Sequence, residues 1–125
     1  KLKEISYLHA EGYPSGELKH GPIALVDYET PTVVLAPHDG LFDKTVSNMQ
    51  EVLAREGRVW LVTDAEGAKI ADDGVWHTLV MPTVAPVFAP MLYAVPAQLI
   101  AYHTALHKGT DVDQPRNLAK SVTVE

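Results

Sequence analysis

The sequence has 125 residues, 46% of them hydrophobic and 21% charged, the composition of one folded globular domain and not of a disordered segment. Its net charge of −6, with no block of lysine and arginine, excludes a nucleic-acid surface. The absence of cysteine excludes a disulfide framework and thiolate metal sites and suits a cytoplasmic protein, and no apolar run or signal-like opening points to a membrane.

The opening "KLKEISYLHAEG" puts Leu2, Ile5 and Leu8 on one face and predicts a short helix over residues 1–11. Gly12, Pro14 and Gly16 break that pattern. "ELKHGPIALV" reads as a polar turn followed by an apolar segment too short to classify. "TVVLAP" (Thr32 to Pro37) is a continuous β-branched run closed by proline, the pattern of a buried parallel strand. Asp39 can cap the next element. Leu41, Phe42, Val46, Met49 and Leu53 then recur at helical spacing, and Gly57 stands where a C-terminal cap belongs. "RVWLVTD" (Arg58 to Asp64) predicts a second buried strand. Ala65 to Gly74 reads as a polar, glycine-containing connection, and "VWHTLVM" predicts a third strand.

Val84 to Lys108 is a long, mostly apolar helical segment with Pro86, Pro90 and Pro96. Either of the first two suits a first helical turn, whereas Pro96 lies inside and predicts a kink. Apolar residues nearly all round predict burial against a sheet or a partner chain. Gly109 ends the segment, and "TDVDQPRNLAKSVTVE" follows without a period of its own. Strand–helix alternation with buried runs implies an α/β fold: an open parallel sheet flanked by helices with right-handed crossovers. Three strands are few for such a sheet. The expectation is an incomplete domain over residues 1–109, the second half of a larger one, followed by an irregular C-terminal tail over 110–125.

No GxGxxG, GxxxxGK[ST], HExxH or GxSxG motif is present, so neither a nucleotide loop nor a hydrolase elbow is expected. His103 and His107 lie one helical turn apart with no carboxylate at zinc spacing. They read as a buried or dipole-stabilising pair near a helix C-terminus, and no metal or cofactor is expected. Three further spots are unremarkable one by one. Lys1 and Glu4 share a helix face as a solvated ion pair. His20 occupies a turn fixed by Gly21 and Pro22, and Lys120 is a tail lysine.

Together these spots carry a family resemblance. "LKEISYLHAEGYPSGELKHGPIAL" and "YHTALHKGTDVDQPRNLAKSVTVE" resemble the end of the glucosamine-6-phosphate synthases, the glutamine–fructose-6-phosphate aminotransferases (isomerizing). The resemblance runs the length of the chain, and "KGTDVDQPRNLAKSVTVE" is its most specific part. It implies a sugar isomerase (SIS) fold of flavodoxin-like type, with fructose 6-phosphate as substrate and glucosamine 6-phosphate as product. It implies Lys120 as the Schiff-base lysine, Glu4 as the base that shuttles a proton between sugar carbons, and Lys1 as a member of the same cluster. His20 matches the ring-opening histidine, which in that family comes from the partner subunit of a homodimer. Those roles suit the residue types. A lysine at its reference pKa of about 10.4 is protonated near neutrality and must be desolvated or placed near other cations to attack a carbonyl.

Other parts of that family have no match here, namely the glutaminase cysteine and the Ser/Thr-rich loop that grips the sugar phosphate. The expected partners are therefore the glutaminase domain and the first SIS domain of the same enzyme, and the stretch alone is expected to be inactive. Two other readings stay open: a non-catalytic phosphosugar-binding SIS module, and a phosphosugar deaminase or deglycase of the same fold. The tail lysine with the Lys1–Glu4 pair separates them, since a sensor needs no Schiff base.

Overall fold

A computed structural model describes residues 1–117. The described residues form two compact units, one of Tyr13–Tyr93 and one of Lys1–Gly12 together with residues 94–117.

The first of these units is built on three strands, β1 (Thr32–Leu35), β2 (Val59–Asp64) and β3 (His77–Met81), in the order β1-β2-β3. Both pairings are parallel, with Val33 opposite Trp60 and Leu61 opposite Thr78. Parallel neighbours need a crossover, and helices supply both: α2 (Phe42–Leu53) joins β1 to β2, and α3 (Ala65–Ala71) joins β2 to β3. The central strand carries the core. Val59, Leu61 and Val62 are fully buried, as expected of an apolar run in the central strand of a parallel sheet. Phe42, Met49 and Val52 of α2 pack with Leu61, Ala36 and Ala71 in one apolar cluster.

The parallel α/β architecture agrees with the expectation from sequence, with three local corrections. The stretch read as a polar connection is the helix α3. Asp64 starts it, its carboxylate accepting from the backbone N–H of Glu66 at 3.1 Å and Gly67 at 3.0 Å. Second, Leu41 was expected on the buried face and is exposed, while Val52 takes that place. Third, Gly57 does not take the left-handed cap conformation; Glu56 does, with φ 61°. Gly57 is instead a close approach, where a methyl would stand 2.6 Å from side-chain carbons of Val26 and Val52.

The unclassified segment forms two 3-10 helices, Ser15–His20 and Pro22–Leu25. Lys19 ties the first to α2 by an ion pair to Glu51 at 2.8 Å, and Leu18 packs against the apolar cluster. Arg58, just before β2, holds the loop ahead of β1. Its guanidinium donates to the carbonyls of Tyr28 at 2.6 Å and Glu29 at 3.1 Å and lies 4.8 Å from the ring centres of both Tyr28 and Trp76.

The last helix, α4 (Ala89–Lys108), runs through Pro96 without interruption, and Gly109 follows at φ 69°. At its start Ala89 and Tyr93 pack on Val62. Burial all round was expected, yet Val95, Leu99, Tyr102 and Leu106 are exposed. In the other unit, the short helix α1 (Leu2–Ser6) places Ile5 against Ala101 and Ala105, with Leu2 and Val112 completing the cluster. α1 is shorter than expected because Tyr7 adopts a left-handed conformation, φ 59°, that closes it.

Candidate active site

Lys1 caps the start of α1 and Glu4 lies one turn on, which brings the ammonium within 2.9 Å of the carboxylate. The pair is asymmetric: the Lys1 side chain is 59% exposed and that of Glu4 only 25%. Glu4 is thus a mostly covered carboxylate with a cation at hand, an arrangement able to accept and return a proton. α1 is rigidly held for so short an element. Ser6 Oγ donates to the Leu2 carbonyl at 2.6 Å, and Thr110 Oγ1 donates to the Ile5 carbonyl at 2.6 Å across 105 positions of sequence.

The tail beyond α4 turns on Asp111, whose carboxylate accepts from the N–H groups of Asp113 and Gln114 at 2.9 Å each. Pro115 is buried, and the next residue returns to α1. The Arg116 N–H donates to the Tyr7 hydroxyl at 2.9 Å, and its guanidinium stands 4.1 Å from the centre of the Tyr7 ring. Neither Tyr7 nor Arg116 stood out from sequence as a pair. Only the left-handed turn at Tyr7 joins them, and nothing in "ISYLH" announces it.

His20 belongs to the other unit. It ends a 3-10 helix, with Gly21 behind it at φ 135°, a conformation open to glycine and strained for other residues. Its Nδ1 is 2.8 Å from Glu17 Oε2, and the imidazole is 71% exposed, so it stands on a projecting, backbone-fixed corner. Lys120 lies outside the described residues. Of the four sequence candidates, then, Lys1 and Glu4 meet on one helix, and His20 occupies a separate exposed corner.

The unit that holds the sheet also has a small cleft at the carboxyl ends of its strands, about 40 Å³, lined by His38, Asp39, Asp64, Thr83 and Tyr93 among others. Asp64 accepts the His38 N–H at 2.9 Å besides capping α3. Burial pushes its carboxyl up, but the N–H donors of Gly67, His38 and Glu66 outweigh that and hold it below the usual range. Tyr93 is pushed up to about 12 by burial and by the charges of Asp64 and Asp39. Its buried hydroxyl has no hydrogen-bond partner among the described residues. Among those residues no group of three or more histidine and carboxylate side chains is placed to hold a metal. No helix there is long and apolar enough to cross a membrane.

Comparison with known proteins bears on the family of the chain. The SIS domain model matches residues 1–108. A glutamine–fructose-6-phosphate aminotransferase [isomerizing] of Rhizobium meliloti is 66% identical over all 125 residues, and one of Bradyrhizobium diazoefficiens is 68% identical. The chain spans 21% of the length of each of these relatives. A protein of the same name from Sphingobium yanoikuyae is 64% identical over the whole chain, which covers 80% of that relative. Among solved structures, the C-terminal domain of glucosamine-fructose-6-phosphate aminotransferase from Francisella tularensis superposes with a TM-score of 0.85 at 51% identity, over 90% of this chain and 32% of that one. Identity of this order along the whole chain, on the same parallel α/β core, leaves one assignment: the chain belongs to the SIS family, among the glutamine–fructose-6-phosphate aminotransferases (isomerizing).

Proposed function

We propose that this chain is the sugar-isomerising end of an enzyme that makes glucosamine 6-phosphate from fructose 6-phosphate and glutamine. The observation that carries the reading is the 64% identity to the Sphingobium yanoikuyae aminotransferase, of which the chain covers 80%. The Lys1–Glu4 pair supports it, since ketose-to-aldose conversion needs a base beside the sugar. On this reading the Lys120 amine attacks the carbonyl carbon of open-chain fructose 6-phosphate, a C–N bond forms, and the carbonyl oxygen leaves as water. Ammonia then adds to the imine carbon and the Lys120 amine leaves. Glu4 takes a proton from one carbon of the resulting sugar imine and returns it to its neighbour, while the Lys1 ammonium holds the carboxylate in place. His20 opens the sugar ring, and its exposed corner suits a residue offered to the partner subunit of a homodimer. The glutaminase domain and first SIS domain of the same cytoplasmic enzyme supply the ammonia and the phosphate grip. Residues 1–109 are then the second half of the C-terminal SIS domain and 110–125 a catalytic tail.

The test is reductive trapping in the full-length enzyme. Incubation with fructose 6-phosphate and borohydride is expected to fix the sugar on Lys120, and Lys120→Arg is expected to abolish synthesis while leaving folding intact, because a guanidinium forms no imine. An adduct on another lysine, or near-normal turnover of Lys120→Arg, overturns the assignment. Absence of any adduct favours a non-catalytic phosphosugar-binding module instead.

A further inference from the structure

α1 carries two of the proposed catalytic residues, and the tail that leads to the third is fastened to it at three places. Thr110 Oγ1 donates to the Ile5 carbonyl at 2.6 Å, and Val112 packs against the cluster of Ile5, Ala101 and Ala105. The Arg116 N–H donates to the Tyr7 hydroxyl at 2.9 Å, with the guanidinium 4.1 Å from the centre of the same ring. The last fastening comes closest in sequence to Lys120 and differs in kind from the others. A backbone N–H fixes the height of the chain above the ring, and the cation on the ring face fixes its side. Asn117, the next residue, has φ 61°, so the chain turns sharply at once after the fastening.

We infer that Tyr7 and Arg116 are positioning residues for the tail lysine, setting the point on α1 from which the last segment of chain starts. The inference rests on the proposed role of Lys120. Its physical content is a limit on reach. Lys120 lies four positions after Arg116, and four residues of chain extend at most about 14 Å. A fastening at Tyr7 thus sets, by chain length alone, an upper limit on the distance between the α-carbon of Lys120 and the helix that holds Lys1 and Glu4. Released there, the tail is held next at Val112, twice as far back, and the effective concentration of the amine at a sugar carbonyl falls. Tyr7 also closes α1 in a left-handed conformation, so one residue both ends the helix and presents the ring that receives the tail. Neither residue touches a reacting atom in this account. Both act through where Lys120 starts.

The experiment uses the full-length enzyme with Tyr7→Phe, Arg116→Ala and Arg116→Lys, and Lys120→Arg as a control. Tyr7→Phe keeps the ring and loses only the acceptor; Arg116→Lys keeps a cation over the ring. Tyr7→Phe is expected to speed hydrogen exchange at the Arg116 amide by about tenfold, the scale of one lost hydrogen bond. The rate of borohydride-trappable imine formation at saturating fructose 6-phosphate should fall by a similar factor, about tenfold, with kcat reduced and KM little changed. Arg116→Ala should behave likewise, with Arg116→Lys recovering part of the loss. Circular dichroism and melting of each variant separate this from misfolding, and Arg116→Lys carries the test if Arg116→Ala fails to fold. Unchanged exchange and unchanged trapping in Tyr7→Phe overturn the inference. Faster exchange with normal trapping also overturns it, since the contact is then structural only. Should Lys120→Arg still form the imine, the role of Lys120 falls, and the exchange measurement reports on the fastening by itself.

Discussion

The α-carbon of Gly67 lies against the hydroxyl of Thr63. A methyl group there would overlap Thr63 Oγ1 and come within 2.9 Å of a Phe42 ring carbon. Thr63 has no room to retreat, because it is fully buried and its hydroxyl donates to the Ala36 carbonyl at 2.6 Å. The glycine is the condition for α3 to approach β2 at that depth. Gly67→Ala would ordinarily favour a helix by about 1 kcal/mol. Here it is expected to destabilise the domain by about 1–3 kcal/mol, the usual cost of overpacking. Urea unfolding measures the difference, and a stabilised variant would refute the close approach.

Asp64 joins β1, β2 and α3 through one carboxylate, which accepts from His38, Glu66 and Gly67. Since its folded pKa is depressed, its contribution is present above the unfolded carboxylate value and is lost as the pH falls through the folded one. Asp64→Asn is therefore expected to flatten the acid limb of the stability profile. Asp64→Ala should cost about 1–3 kcal/mol at neutral pH, from a lost cap and unpaired buried N–H groups. Melting temperatures from pH 7 down to pH 3 decide it; parallel acid limbs in wild type and Asp64→Asn would count against the assignment.

Tyr93 gives the opposite limb. Its folded pKa of about 12 lies above the ordinary value of 10.0. The native state therefore keeps a proton that the unfolded chain has released between those values, and stability falls as pH rises through them. Tyr93→Phe is expected to remove that alkaline slope. At neutral pH it should cost little, because the hydroxyl it deletes has no partner among the described residues. A large loss at pH 7 would mean that the hydroxyl is hydrogen-bonded in solution.

The strands were legible as apolar runs, "TVVL" and "VWLV", but only β2 is buried on both faces; β1, expected buried, leaves Val33 and Leu35 exposed. The helix α3 was not. Its apolar period is too short to register over seven residues, and the glycine that discourages a helix locally is required by Thr63 and Phe42, which no window around Gly67 contains. A cap signal was present in the Asp64 that precedes "AEGAKIA", but Asp64 was already read as the end of a strand. The exposed stripe on α4 was hidden for a related reason: composition says how apolar a helix is, not which face finds neighbours. In the candidate site, the spacing of Lys1 and Glu4 made only their ion pair legible, and their role came from the family resemblance. His20 and Lys120 gained meaning only from resemblance, since a loop histidine and a tail lysine have no local signature. Tyr7 and Arg116, 109 positions apart, were out of reach of any local pattern.

Arg58 provides a last test, of how the loop before β1 is held. Its guanidinium lies 4.8 Å from the centres of two rings, Tyr28 and Trp76, and spends two donors on the carbonyls of Tyr28 and Glu29. The loop is further shaped by Asp27, whose carboxylate accepts the Thr30 N–H at 2.7 Å. That bond is the first cause of a carboxyl held below its usual range. Lysine keeps the charge at position 58 but has no planar fork to serve two carbonyls while stacking between rings. Arg58→Lys is thus expected to cost about 1–2 kcal/mol, the scale of a partly exposed cation–π contact plus one charged hydrogen bond. Trp76→Leu should lose only the stacking share and so cost less. The two losses should not add in the double variant, because both remove the same contact. Denaturant midpoints of the three proteins measure this. Full additivity would mean that Trp76 and Arg58 act independently, and that the loop is held by its backbone alone.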